Sequence, residues 1–273
     1  MEKNDFSIFQ NIDLSNKCAI ITGGLGNIGI KIVETLFELN SEVIIIDFDS
    51  EKNKNTLLKL ENKFGKKIDF YNTDLSKKDD IIKFCNLIKD KYEKIDILIH
   101  SAALVTASNL SGWTELFENQ SMEAFDLCMD INTKSALLIF QNLLNLFKKS
   151  DFAKVIFISS IYGIKGNDFS IYEDTNMQSP IAYSVSKASL NIIVKYLASL
   201  YGKDKICVNS IVLGGIFRNQ NQSFVDKYEK KVPLGRMGNE NDIKGLISYL
   251  SSNLSNYMTG QNIVLDGGLT CKV

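Results

Sequence analysis

The stretch CAIITGGLGNIGIKIVETLFELNSEVIIIDF, Cys18 to Phe48, constrains the fold more than any other part of the chain. An apolar run, Cys18 to Ile21, breaks at a turn carrying Gly23, Gly26 and Gly29, and helical apolar spacing follows over about residues 27 to 39. Short apolar runs suit a buried strand and a 3.6-residue period suits an amphipathic helix, so the order is strand, glycine turn, helix, strand. Glycine is needed where backbone must come close to a pyrophosphate, and the helix N-terminus then offers free N–H groups and a positive dipole end. The second strand, Val43 to Ile46, ends in Asp47, where a carboxylate can accept both ribose hydroxyls of an adenosine. A lone Gly-x-x-Gly-x-x-Gly is weak, but in this setting it predicts a dinucleotide site.

The same alternation continues to the C-terminus. Strands are expected near residues 18 to 22, 42 to 46, 67 to 72, 95 to 101, 154 to 159, 206 to 212 and 262 to 265, with helices between them. No Pro-, Gly- or Ser-rich linker interrupts the pattern, so the reading is one α/β domain over residues 1–273, a doubly wound parallel sheet with right-handed crossovers. In such sheets ligands bind beyond the carboxyl ends of the strands. Asp47, Ser101, Ser160 and the segment Leu213 to Arg218 all follow strand ends, which brings them to one rim.

On that rim the chemistry centres on Tyr183 and Lys187, four residues apart in AYSVSKASLNIIVKYLASL and hence on one helical face. A phenol with a pKa near ~10 is a poor acid or base at neutral pH, and an ammonium held beside it favours the phenolate. The plain alternative is a half-exposed tyrosine and a solvated lysine.

Taken with the glycine turn, these residues resemble the short-chain dehydrogenase/reductase family over nearly the whole chain. Thr22 to Gly29 is similar to its cofactor turn, Asp74 in NTDLS to its adenine-contacting acid, and IHSAA, Ile99 to Ala103, to its Asn-Asn-Ala-Gly strand end. Asn132 in DINTKSA, Ser160 in FISSIYG, Tyr183 and Lys187 match its catalytic tetrad, and Pro233 to Gly268 follows its C-terminal pattern. The resemblance implies a Rossmann-type seven-stranded sheet of order 3-2-1-4-5-6-7 and a segment closing over substrate at about residues 214–236. It implies a cofactor held by Thr22, Gly23, Gly26, Asn27, Ile28, Gly29, Asp47, Asp74, Leu75, Ser101, Ala102, Tyr183, Lys187, Gly214 and Ile216. Asn132 would anchor a water leading from Lys187 toward solvent. Asp47, with no arginine after it, favours NAD over NADP, because a 2′-phosphate there would meet like-charge repulsion.

Departures from the family pattern bear on substrate. Asn27 stands where the shorter members usually have the second glycine, the interval from Ser160 to Tyr183 is longer than usual, and SSIYG, YEDT and SPIAYSVSK resemble the extended, sugar-modifying branch. The reading is an NAD(H)-dependent oxidoreductase interconverting a secondary alcohol and a ketone on a sugar or phosphosugar, as in surface-glycan and nonulosonic-acid pathways. The alternatives are a sugar epimerase or dehydratase that recycles its cofactor, and a non-catalytic dinucleotide-binding protein. Ser170 stands at the usual distance from Tyr183, but Ser160 directly follows the apolar strand VIFIS and is preferred. Of the two arginines, Arg236 reads as structural and Arg218 as a clamp on an anionic group of the substrate, the competing role being an ion pair with a carboxylate such as Asp226.

A formal net charge of −1 gives no reason to invoke nucleic acid or an anionic membrane. The polar N-terminus and the absence of a ~20-residue apolar run argue for a cytoplasmic protein. Cys18, Cys85, Cys128, Cys207 and Cys271 lack metal-ligand spacing, so no metal is expected. The single histidine, His100, ends a buried strand beside the expected cofactor site, where lining the site and a purely structural place are both open; with no second histidine it cannot build a Ser-His-Asp triad. Ser121 to Lys149 and Ile181 to Tyr201 carry more apolar residues than one sheet face can cover, which predicts a homodimer or homotetramer unless the loop Ser101 to Asn119 covers the excess.

Overall fold

Every side chain of β1 (Cys18–Thr22) is buried, and its two faces found the two halves of the core. In the computed structural model, which describes residues 7–105, 110–175 and 177–271, Cys18 and Ile20 enter one apolar cluster, Ala19 and Ile21 the other. The two-residue period of a strand produces this alternation, and burial on both faces is what a parallel sheet between helix layers demands. Strand β2 (Glu42–Asp47) pairs with one edge of β1 and β4 (Ile97–His100) with the other. Strands β3 (Asp69–Asn72), β5 (Ala153–Ser160), β6 (Ile206–Leu213) and β7 (Asn262–Leu265) extend the sheet to the order β3-β2-β1-β4-β5-β6-β7, parallel throughout. This is the expected order, and the strand limits differ from the expected ones by at most two residues.

After a short α1 (Ile8–Ile12), α2 (Asn27–Glu38) lays Ile32, Val33 and Leu36 on one face of the sheet. Helix α3 (Glu51–Phe64) starts at Ser50, whose hydroxyl accepts the Asn53 N–H, and stops at the left-handed Gly65. The opposite face is covered by α4 (Lys78–Lys91), α6 (Ser135–Phe147) and α7 (Ile181–Tyr201), through Phe84, Phe140, Leu143, Leu190 and Val194 among others. Helix α5 (Met122–Met129) runs into α6 through one π-turn, Asp130–Lys134, and α8 (Gln222–Lys231) and α9 (Lys244–Ser251) follow β6.

At the end of the sheet remote from the rim, buried Asp96 accepts from Ser150 Oγ (2.6 Å), Cys18 N–H (3.1 Å), Lys17 (3.2 Å) and Lys94 (3.1 Å). Burial pushes its carboxyl upward, but these donors more than offset it, and the group sits below its usual range. The cluster pins the starts of β1 and β4 to the end of α6.

The loop foreseen as a cover lies over part of the apolar helices. Trp113 in the 101–119 loop is buried against Ala124, Cys128 and Ala182, so the loop covers the N-terminal ends of α5 and α7; residues 106–109 lie outside the described residues. Farther along α7, Ile192, Tyr196 and Leu200 form an exposed apolar stripe.

Candidate active site

The turn after β1 has a shape that only glycine permits at two places. Gly23 has φ +66°, and a Cβ there would lie 2.7 Å from Ala102 Cα. A Cβ on Gly29 would lie 1.9 Å from the Gly23 carbonyl oxygen, so the first turn of α2 rests directly on the loop. No side chain caps α2, Gly26 and Asn27 are exposed, and the first-turn N–H groups of Asn27, Ile28 and Gly29 are available to an anion.

Asp47 closes one side of this cradle. Its Oδ2 accepts the Leu25 N–H (2.9 Å), and Oδ1 accepts the Phe48 N–H (2.8 Å) and Asn53 Nδ2 (3.2 Å). A carboxylate has about four acceptor positions, so capacity remains for a hydroxyl. Burial pushes Asp47 upward, against those three donors. Asp74 follows β3, its Oδ1 taken by Ser76 N–H (3.0 Å) and Oγ (2.6 Å) and its Oδ2 facing Lys77 (3.2 Å), with Leu75 buried beside it. Ser101 and Ala102 follow β4; their N–H groups bond the Thr22 carbonyl (3.2 Å) and hydroxyl (3.2 Å). Gly214 follows β6, where a Cβ would meet Asp266 Cα at 2.8 Å, and Ile216 bridges to Gly238. The residues expected to hold a dinucleotide thus stand along one rim, and their cradle, free N–H groups and acid fit it.

Ser160 ends β5, and its hydroxyl accepts the Tyr162 N–H (3.2 Å). Tyr183 and Lys187 sit in the first two turns of α7, with Lys187 Nζ 5.6 Å from the Tyr183 ring centre. Lys187 is buried and donates to the Ile158 carbonyl (2.8 Å); burial pulls it down to about 8. Burial pushes the Tyr183 phenol up, opposed by the Ser160 hydroxyl and the Arg218 charge. Ser170 is exposed and donates to Asp168 (2.6 Å), away from this group.

Asn132 lies in the π-turn, where the helical ladder is interrupted. Its Oδ1 accepts the Leu104 N–H (2.7 Å), and its Nδ2 reaches Ser186 Oγ (3.0 Å) and Cys128 Sγ (3.3 Å). The side chain therefore locks the β4 loop to α7.

His100 does not line the site. It is fully buried, with Nε2 3.2 Å from the Asn132 carbonyl and Nδ1 2.8 Å from Thr22 Oγ1. A carbonyl only accepts, so Nε2 carries the proton, Nδ1 accepts from Thr22, and the Thr22 oxygen accepts from Ala102. Burial, with Lys187 nearby, pulls His100 down to about 3. The sequence placed His100 on the strand end correctly, but its partners come from residues 78 earlier and 32 later, which spacing does not reveal.

Arg218 pairs through Nε with Glu240 (3.4 Å), while Asp226 accepts from Gln222 (2.7 Å). Arg236 forks onto Asp242 at 2.7 and 3.0 Å, a structural clamp. Sequence reasoning did not single out the phenols of Tyr162, Tyr172 and Tyr228, of which Tyr162 and Tyr172 share a 2.6 Å hydrogen bond.

A sheet of this order with a glycine-turn cradle and a Ser160, Tyr183, Lys187 group on its rim defines an oxidoreductase of the Rossmann type. The family model described as enoyl-(acyl carrier protein) reductase matches residues 24–270. The chain belongs to the short-chain dehydrogenase/reductase family. Post-translational flagellin modification protein A of Campylobacter coli is 30% identical over 256 residues, 93% of this chain and 98% of that protein. The 3-oxoacyl-[acyl-carrier-protein] reductase FabG of Aquifex aeolicus is 28% identical over 264 residues, 95% of this chain and all of that one. A short-chain dehydrogenase of Leptospira borgpetersenii solved with bound NAD+ superposes with a TM-score of 0.79 at 30% identity, covering 97% of this chain and 96% of that one. Pseudomonas aeruginosa RhlG, solved with NADP, superposes at 0.80 with 26% identity, covering 95% and 98%.

The His100 arrangement yields a pH prediction. Its folded pKa lies below the unfolded value near ~6.5, so its contribution to stability is complete above that pH and shrinks as pH falls toward the folded value. His100→Leu should cost about 2 to 4 kcal/mol at pH 7, through the orphaned Thr22 hydroxyl and Asn132 carbonyl, and should lose less further stability than the parent chain between pH 7 and 5. Urea unfolding at both pH values measures this; equal losses in the two proteins would contradict a neutral, buried imidazole.

Proposed function

We propose that the chain is an NAD(H)-dependent oxidoreductase, one catalytic domain that interconverts a secondary alcohol and a ketone on a small, sugar-like, anionic substrate. The observation that carries this reading is the convergence of Ser160, Tyr183 and Lys187 on the rim that also holds the glycine cradle and Asp47. Bound NAD supplies or accepts the hydride. Tyr183 exchanges the proton with the substrate oxygen, and Ser160 donates a hydrogen bond to the same oxygen. Lys187, pulled only to about 8, keeps most of its charge at neutral pH and favours the phenolate. Asn132 positions α7 against the β4 loop.

Support for a sugar-like substrate comes from the flagellin-modification relative and from the extended Ser160 to Tyr183 stretch. The FabG relatives make a 3-oxoacyl thioester the competitor to include in any assay. Arg218 adds positive charge near Tyr183 at the edge of the 214–236 segment. Cytoplasmic placement is supported by five free cysteines, four of them buried, and among the described residues no helix is long and apolar enough to cross a membrane.

Incubation with NAD and candidate sugars, phosphosugars and a 3-oxoacyl thioester tests the reaction. Net NADH formation or consumption is expected with a sugar; product without net NADH would mean a recycling epimerase or dehydratase. Tyr183→Phe should lower turnover by at least ~10²-fold with NAD affinity nearly unchanged. Near-parental turnover in that variant would sink the mechanism.

Asp47 carries the choice of NAD. Asp47→Ser removes both an acceptor and the charge that repels a 2′-phosphate, so NAD should bind more weakly and NADP more tightly. A parent chain that already prefers NADP, measured by fluorescence titration of the reduced cofactors, would overturn the assignment.

The stripe on α7 supports assembly into a homodimer or homotetramer. Sedimentation velocity at micromolar concentration should show more than a monomer, and Ile192→Glu should shift the population toward monomer. A monomeric parent chain would refute the assembly.

A further inference from the structure

One residue past Ser160 the chain enters a 3₁₀ turn, Ile161–Gly163, and beside it opens a cavity of about 380 Å³. That volume is in the range of small-ligand sites, roughly 300 to 1,000 Å³. Its apolar lining comes from Ile161, Ile171 and Leu269, and two phenols, Tyr162 and Tyr228, add hydroxyls. Tyr228 is buried, and its oxygen accepts the Gly215 N–H, so its own proton is left without an acceptor among the described residues. Burial pushes this phenol up to about 12, keeping it a donor at neutral pH.

The charge around the cavity is lopsided. Lys165, Lys230 and Lys231 line it with a single carboxylate, Asp168. Asp168 is taken by Lys231 at 2.5 Å and held down to about 2 by that ammonium and the Ser170 hydroxyl. Lys165 and Lys230 have no ion-pair partner among the described residues, so three ammonium groups and one carboxylate leave a surplus of two positive charges at the opening. Arg218, the residue the sequence favoured for an anion, is compensated by Glu240 instead.

We propose that this cavity receives a phosphate monoester on the substrate, with Lys165 and Lys230 pairing to the phosphate and the Tyr228 hydroxyl donating to the sugar. The placement suits the reaction, since Ser160, the serine assigned to the reacting oxygen, caps the turn whose Ile161 and Tyr162 line the cavity. It rests on the sugar oxidoreductase reading above and adds to it where the anion is held.

Calorimetric titration of the NAD-loaded protein with a hexose 6-phosphate, a hexose 1-phosphate and the parent hexose tests the assignment. At least one phosphate ester should bind ~10-fold or more tightly than the hexose, a preference that Lys165→Gln/Lys230→Gln abolishes and Lys165→Arg/Lys230→Arg retains. NAD affinity and melting temperature should stay at parental values in both variants. Equal binding of hexose and its phosphates would overturn the proposal, as would a phosphate preference that survives the glutamine pair but disappears in Arg218→Ala. Failure of the parent chain to bind either NAD or NADP in the same titrations would reject the oxidoreductase reading itself, and this proposal with it.

Discussion

A buried line of hydrogen bonds, from the Ala102 N–H through the Thr22 hydroxyl and the His100 ring to the Asn132 carbonyl, holds the two halves of the site in register. Thr22 and His100 are paired across β1 and β4, so the line starts where the sheet already fixes the spacing. It ends in the π-turn, where the interrupted helical ladder leaves Asn132 free to serve other elements. The Asn132 side chain then carries the link onward to Leu104 and to Ser186, one residue before Lys187. Proton donors and acceptors alternate along the line only if His100 is neutral; a second ring proton would leave the Thr22 hydroxyl without its acceptor. The apolar surroundings that forbid the charge also preserve the geometry.

The sheet and the cofactor cradle were legible in the sequence because local constraints encode them. Glycines at 23 and 29 are demanded by contacts with Ala102 and with the turn itself, and a strand buried on both faces reads as an apolar run wherever it falls. Tyr183 and Lys187 were legible because a helix converts a spacing of four into a shared face. Ser160 was separable from Ser170 for a similar reason: one ends a buried strand, the other donates to Asp168 at the surface.

What remained hidden depends on partners distant in the chain. A strand end points toward the rim, which left a ligand-facing and a structural His100 equally open, and its ring is sandwiched between β1 and the π-turn. The π-turn itself has no signature in DINTK, since one widened turn shifts the apolar phase by only a single residue. Arg218 looked like an anion clamp because it is one of two arginines, and its Glu240 partner lies 22 residues away. Nothing in the sequence sets apart the lysines around the cavity, and only folding brings Lys165 and the Lys230–Lys231 end of α8 to one lining.

Burial drives Tyr183 and Lys187 toward their neutral forms, the reverse of what a reactive phenolate beside an ammonium requires. Their mutual attraction opposes this. Nζ stands 5.6 Å from the ring centre, within the range over which an opposite charge favours the ionised form of a neighbour. The Ile158 carbonyl decides where the cation waits: its 2.8 Å hydrogen bond ties Nζ to the end of β5, the strand that also carries Ser160. Strand β5 therefore carries both Ser160 and the carbonyl that holds the Lys187 ammonium, while α7 supplies the Tyr183 phenol.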